Sequence, residues 1–400
     1  VNKATRDTPG KDTPRLRYTL IGAGASIASH HLEALAKLPG TEIVGMADAN
    51  AEIGAQHAAQ IGCPFFLDHR ELLATVTPDV AVICAPHPLH CSLALDCFAA
   101  GTHVLVEKPI AVEVAEAEQM IAAADAAGRL LAVNFQERFR PAVEAAHQMI
   151  ATGELGEVVR VLCVEPWFRT AAYYRSATWR GTWSGEGGGV LMNQAPHTLD
   201  RLCYLAGSPA SVWGWIRTLR HGIETEDTAQ AMLVYPNGAP GYLEVSTLEA
   251  GTLPQMHIIG DKMALEFRGE TLHICRFTPS LSAFSATSLE KFATPQSAVE
   301  TFEPPEGVAP GGEGHLAVHR DLRDAILTGR KPRCAGSDAL ASLELANAIT
   351  LSSFTGQSVS LPLDRSLYSA LLADLRTGRL EIPAATQAPP GNFTAQGRRQ

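Results

Sequence analysis

Over the first third of the chain, short aliphatic runs alternate with stretches whose apolar residues recur at helical spacing. The runs lie at 16–21, 42–47, 79–86, 103–107 and 130–135. Near-continuous apolar runs of this length predict strands covered on both faces, as in a parallel sheet. Between them, 29–37, 92–100 and 112–127 read as helices, closed in turn by Pro39-Gly40 and by Gly101. Five strands alternating with helices predict an α/β, doubly wound parallel sheet. After Pro141 the pattern changes. One helix at 143–152 precedes strand candidates at 158–164, 212–218, 228–235, 241–248, 255–259, 264–267 and 272–277. Turn residues such as Pro236-Asn237-Gly238 and Gly260-Asp261 separate some of them, in place of helices. This predicts a C-terminal α+β domain on a large, mostly antiparallel sheet. Residues 280–314 are rich in Ser, Pro and Gly and read as a long loop. Helices at 315–327, 337–355 and 366–377 and a short strand at 359–361 complete the chain.

Length agrees with two domains, because 400 residues exceed what one hydrophobic core serves. The boundaries read as 15–140 for the parallel domain and 141–365 for the α+β domain. Residues 1–14 and the Pro- and Gln-rich end of 366–400 read as disordered tails around one last helix. Lys+Arg 32 against Asp+Glu 42 gives a net charge of −10, which excludes nucleic acid or an anionic membrane as main partner. No apolar run reaches the ~18–20 residues needed to span a bilayer, and the first residues lack the apolar core of a leader. Eight cysteines are scattered without a CxxC pair, as in a reduced cytoplasmic protein without a structural zinc or other metal.

Two stretches carry candidate chemistry in the first domain. Residues 16–21 run into Gly22-Ala23-Gly24-Ala25-Ser26-Ile27, and the run at 42–47 closes on Asp48. Strand, glycine turn, helix, strand and acid form a mononucleotide-binding unit, with the pyrophosphate at the helix N-terminus and the acid on a ribose diol. A bare G-x-G also occurs in turns for steric reasons alone. The run at 103–107 ends in Glu107-Lys108-Pro109, which puts a lysine at the rim where open α/β sheets bind ligands; a strand-end lysine can equally be a surface lysine.

Downstream, Gly187-Gly188-Gly189-Val190-Leu191-Met192-Asn193-Gln194-Ala195-Pro196-His197-Thr198-Leu199-Asp200 is a tight turn opening a helix near 192–196. On such a helix Asn193, His197 and Asp200 share one face. A capped helix with a satisfied histidine is the plainer alternative. Before it lies an aromatic and basic patch with Trp167, Phe168, Arg169, Tyr173, Tyr174, Arg175, Trp179, Arg180 and Trp183. Aromatic faces suit sugar C–H faces and arginine suits carboxylate or phosphate, although loop packing accounts for such a patch equally well.

In this order, these pieces resemble the Gfo/Idh/MocA oxidoreductases, the glucose-fructose oxidoreductase and inositol dehydrogenase relatives, over roughly residues 16–365. The matches are Asp79, Val82, Pro86, His90, Gly101, His103, Val104, Leu105, Glu107, Lys108 and Pro109, then the glycines, Leu191, His197 and Asp200. Arg138 matches the x-x-R-F at the exit of the first domain. The pattern departs in three places. Ser26 is one residue extra in the glycine turn, Asn193 stands for an aspartate, and Ala195 stands for a glycine.

The resemblance implies a Rossmann domain holding NAD through Gly22, Gly24, Ala25, Ser26, Ile27, Asp48, Pro86, His90, Glu107 and Lys108. NADP is the lesser expectation, because Asp48 would repel a 2′-phosphate. It implies catalysis by Lys108, His197 and Asn193 on a sugar, polyol or sugar derivative bound by Asp200, Arg138, Trp167, Tyr173, Arg175 and Trp179. It also implies a homodimer or homotetramer associating through the second sheet. Two alternatives belong to the same fold: an NAD-using glycosidase or lyase, and a non-catalytic NAD-bound regulator.

Overall fold

The computed structural model describes residues 15–382. The expected tails at 1–14 and from 383 onward lie outside the described residues. By its contacts the chain forms two compact units. The first holds Gly311–Ala339 along with the N-terminal part up to Arg140, except Val112–Ala115. A stretch that sequence assigns to the second domain therefore groups with the first.

In the first unit the elements follow as β1 (Leu16–Ile21), α1 (Ala28–Lys37), β2 (Thr41–Ala47), α2 (Ala51–Ile61), β3 (Phe65–Phe66), α3 (His69–Val76), β4 (Val80–Ile83), α4 (His90–Ala99), β5 (His103–Val106), α5 (Val114–Ala127) and β6 (Leu131–Val133). The sheet has six strands in the order β3-β2-β1-β4-β5-β6, all pairings parallel. Sequence marks five of them; the two-residue β3 is too short to show a period. Strands β4 and β5 are wholly shielded from water but for the half-buried His103 that opens β5, as their unbroken apolar runs require. Strand order reverses between β1 and β4. The crevice beyond the carboxyl ends of these two strands is where such sheets bind ligands.

The second unit adds α6 (Pro141–Ala151), β7 (Val158–Pro166), α7 (Ala171–Tyr174), α8 (Pro196–Ala206), β8 (Ser211–Arg217), β9 (Thr228–Val234), β10 (Pro240–Ser246), β11 (Gln255–Gly260), β12 (Met263–Arg268), β13 (Thr271–Thr278), α9 (Leu281–Thr287) and β14 (Gln296–Thr301). Helix α10 (His315–Thr328) returns to the first unit and packs Val318 and Leu322 into the core beside Leu32 and Leu35. Helix α11 (Gly336–Thr355), β15 (Val359–Ser360) and α12 (Arg365–Arg376) complete the described chain. The nine-stranded sheet runs β14-β13-β12-β11-β7-β10-β9-β8-β15, antiparallel except for β7 with β10. The expected loop at 280–314 in fact contains α9 and β14. Every residue of β14 is exposed, so no apolar alternation marks it.

Backbone of α11 lies so close to β8 that a Cβ on Gly214 would meet the Ile349 carbonyl oxygen at 2.3 Å. On the sheet's other face Trp213, Met232 and Val234 stay 58%, 55% and 45% exposed. Trp213 pairs with Met232, and Met232 with Tyr242, so these side chains form one apolar stripe.

Candidate active site

The glycine turn after β1 is built by close approach. Gly22 has φ +85°, and a Cβ there would sit 2.8 Å from the Cys84 and Ala85 backbone. Only glycine fits both demands. Gly24 N–H donates to Asp48 Oδ2 at 2.7 Å, and Asn50 N–H donates to Asp48 Oδ1 at 2.7 Å. Asp48 is thus anchored at the end of β2 by two backbone N–H groups. His57 Nδ1–H donates to the Ala23 carbonyl at 2.8 Å and braces the same turn, a role nothing in the sequence announces. Ala25, Ser26 and Ile27 complete it, with Ser26 exposed. Helix α1 begins without a side-chain cap and without an acid in its first turn. Its first N–H groups and dipole therefore suit an anion. These residues fit a dinucleotide.

Beyond β4, Pro86 is exposed, whereas His90 is fully buried. The His90 ring nitrogens lie 2.8 Å from the Pro109 and Ala85 carbonyls. Burial pushes its pKa down, and the two carbonyls offset only part of that. His90 therefore ties together the turns after β4 and β5.

Glu107 is a buried hub. Its Oε1 accepts from His31 Nε2 at 2.9 Å and from Asn134 Nδ2 at 2.6 Å, and its Oε2 accepts the Lys108 N–H at 3.2 Å. Burial would raise the carboxyl, but the histidines His31 and His315 and the Lys108 charge hold it well below the usual range. Burial lowers His31 more than Glu107 raises it, so the pair is carboxylate and neutral imidazole. His31 then donates through Nε2 and accepts through Nδ1 from His319 Nε2 at 2.9 Å. Arg138 is buried, and its guanidinium donates to the Arg333 and Asp338 carbonyls at 2.9 and 3.3 Å. This fastens the segment after β6 to the connection between α10 and α11 and to the start of α11.

In the second unit α8 begins at Pro196, so Asn193 lies in the preceding turn rather than on the helix face expected for it. His197 and Asp200 do share the first turn of α8, half-buried and buried respectively. Asn193 Nδ2 donates to Glu186 Oε1, and Tyr173 OH donates to Asn193 Oδ1 at 3.3 Å. Tyr173 OH accepts from Arg180 at 2.6 Å and from Gln194 Nε2 at 3.1 Å. Arg180 also lies over the Tyr173 and Trp179 rings, and Arg169 over Trp167 and Tyr173. Trp167, Arg169, Tyr173, Arg180 and Trp179 therefore form one stacked cluster within the patch. Arg175 and Arg180 line a cleft of about 1020 Å³ with Tyr174, Trp183 and Glu224.

Glu186 and Glu226 are the residues that sequence reasoning passes over. Glu186 is only 1% exposed, and its Oε2 accepts the Gly181 N–H at 2.6 Å. It restores beside Asn193 the carboxylate missing at 193. Glu226 accepts the Gly189 and Leu191 N–H groups at 2.9 and 3.0 Å and so shapes the triple-glycine turn. A Cβ on Gly189 would lie 1.8 Å from the Glu226 carbonyl oxygen. Burial pushes the Glu226 carboxyl up to about 7, against the N–H donors and with help from the Glu186 charge.

Residues 16–135 match the oxidoreductase family with an NAD-binding Rossmann fold, and residues 143–266 match the GFO/IDH/MocA C-terminal domain. The chain belongs to the Gfo/Idh/MocA oxidoreductase family. Among curated members, a 4-carboxy-2-hydroxymuconate-6-semialdehyde dehydrogenase of Sphingobium sp. is 32% identical over 48% of this chain and 59% of its own length. A trans-1,2-dihydrobenzene-1,2-diol dehydrogenase of Mus musculus is 30% identical over 56% of this chain and 67% of its own. The matched part spans about six tenths of the length of the curated relatives. Among solved structures, the WlbA dehydrogenase from Bordetella pertussis, crystallised with NADH and UDP-GlcNAcA, is 29% identical with a TM-score of 0.74, over 88% of this chain and 100% of that one. As a member of the family, this chain carries its NAD-binding Rossmann domain. Among the described residues no helix is long and apolar enough to cross a membrane.

Proposed function

We propose that the protein is an NAD-dependent dehydrogenase that moves a hydride between nicotinamide and a hydroxyl-bearing carbon of a sugar, polyol or sugar derivative. The observation that carries the substrate class is the Tyr173–Asn193–Glu186–Arg180 network beside the start of α8. It offers an aromatic face, a phenol hydroxyl, an amide and a guanidinium to a polyhydroxylated ring, with the buried Glu186 holding the amide in place. The vicinal diol in the name of the Mus musculus relative and the sugar nucleotide held by the WlbA protein support this class.

NAD supplies the hydride acceptor when bound. His197 takes the hydroxyl proton in oxidation and returns it in reduction. Lys108 sets a positive charge against the developing alkoxide. Asn193, held by Glu186, positions the substrate-side polar groups, and Asp200 binds a neighbouring hydroxyl. Gly22, Gly24 and the uncapped start of α1 hold the pyrophosphate, and Asp48 holds the adenosine ribose, which favours NAD over NADP.

The exposed Trp213 and Met232, with the half-buried Tyr242 beside them, support a homodimer or homotetramer formed through the nine-stranded sheet. Eight scattered cysteines, none of them in a disulfide, support a reducing, cytoplasmic setting. The test is steady-state kinetics with NAD and NADP against a panel of sugars, polyols and sugar acids. The expected result is turnover of at least one of them with a higher kcat/KM for NAD. Tightly retained NAD with no net oxidation of any substrate would reject the dehydrogenase reading.

A further inference from the structure

Three side chains far apart in sequence meet in the first unit. His31, Glu107 and His315 each bring one ligand atom within 4.8 Å of the other two. We propose that these three atoms form a binding site for one divalent transition-metal ion of the zinc class. The proposal does not depend on the dehydrogenase reading.

Distances carry the first part of the argument. Ligand atoms about 2.0–2.2 Å from a tetrahedral ion sit roughly 3.3–3.5 Å from each other. The His31–Glu107 separation is 2.9 Å and the His315–Glu107 separation is 3.8 Å, on either side of that value. The widest separation among the three, at most 4.8 Å, has to close to that value for all three to reach ligand distance. The second part is His315 itself. Its Nε2 is buried and has no hydrogen-bond partner among the described residues. A buried ring nitrogen that stops at 3.8 Å from a carboxylate oxygen makes a poor hydrogen bond and a good ligand pair.

The surroundings hold the three ligands in place. Asn134 Nδ2 donates to the same Glu107 oxygen, whose second lone pair remains for an ion. His31 gives Nε2 to the ion by moving its proton to Nδ1, and His319 moves its own proton from Nε2 to Nδ1 so that its Nε2, 2.9 Å away, accepts. The His30 ring stacks on His315 at 5.5 Å and 22°. Such outer contacts fix the orientation of ligating imidazoles and carboxylates. Two imidazoles and one carboxylate select zinc, cobalt or nickel over magnesium and calcium, which take oxygen ligands. His315 keeps 16% of its side chain exposed, which leaves a path for the ion and a fourth position for water. The nearby Lys108 charge opposes the ion and keeps its affinity moderate.

The experiment uses the full chain without an affinity tag, stripped with a chelator and dialysed against micromolar zinc. Metal is then counted by mass spectrometry, and cobalt(II) is titrated for its d–d absorption. One ion per chain is expected, with a cobalt band of nitrogen–oxygen type. His315→Ala and, as a milder change, His315→Gln should each weaken binding by at least the roughly 10–100-fold that loss of an outer contact alone brings. His30→Ala, which removes a stacking ring and no ligand, should keep one ion per chain. Absence of zinc from the parent protein, or full occupancy in both folded His315 variants, would overturn the proposal.

Discussion

Replacing Asn193 by aspartate probes the pairing of this half-buried amide with the buried Glu186. Asn193 now donates its amide to Glu186, whose other oxygen accepts the Gly181 N–H. An aspartate sets a second carboxyl against the first. Two charges about 3 Å apart repel by about 5 kcal/mol at an effective dielectric of about 20, or about 4 pK units. Arg180, 3.9 Å from Glu186, offsets part of this, so a loss of about 2–4 kcal/mol is expected with both groups ionised. The pair escapes by keeping one proton, which restores the hydrogen bond. That raised folded-state pKa sets the sign. The pair's stability is fully present below the ordinary carboxyl pKa and is lost as pH rises through the raised one.

Urea unfolding of Asn193→Asp should therefore show a small deficit near about pH 5 and the full deficit near about pH 8. Adding Glu186→Gln should recover most of it. The glutamine oxygen can accept the Gly181 N–H while its amide donates to the new carboxylate, which reverses the polarity of the pair. The double-mutant cycle should give a favourable coupling of about 2 kcal/mol or more. A pH-independent deficit, or strict additivity of the two changes, would show that these side chains are not paired.

Other outcomes follow from single residues. Lys108→Met should lower kcat by about 10² or more while NADH binding, read by fluorescence, stays within several-fold; near-parental turnover would remove Lys108 from the chemistry. His197→Asn should cost about 10²–10⁴ in kcat, and a loss under tenfold would make another group the proton carrier. Glu226, with its carboxyl pushed up to about 7, should stabilise the fold below the ordinary carboxyl pKa and lose on the order of 3 kcal/mol as pH rises through about 7. Glu226→Gln should flatten that part of the urea midpoint against pH, and an unchanged curve would contradict the shift. Trp213→Glu with Met232→Glu should shift light scattering of the protein toward monomer, whereas an unaltered mass would place any interface elsewhere.

The parallel sheet could be read in advance because its central strands are buried on both faces, and Val80–Ile83 advertises that as an unbroken apolar run. The glycine turn was legible for a related reason: Gly22 meets a steric demand that no other residue meets. The polar scaffold of the site has no such signature. Glu224-Thr225-Glu226-Asp227 looks like a solvated acidic loop, yet the last three are fully buried. Glu226 accepts backbone N–H groups 35 and 37 residues upstream, and Asp227 accepts the N–H groups of Leu219, Arg220 and His221. The reason lies in the glycines themselves. A turn tight enough to exclude a Cβ exposes N–H groups that no helix or strand satisfies, and once buried they need an acceptor. Gly187-Gly188-Gly189 therefore implied a buried acceptor somewhere in the chain, although only the fold could say that it is Glu226. Asn193 follows the same logic. Drawn off the helix and into that turn, it must find its partner there, and the partner is the acid that stands immediately before the glycines.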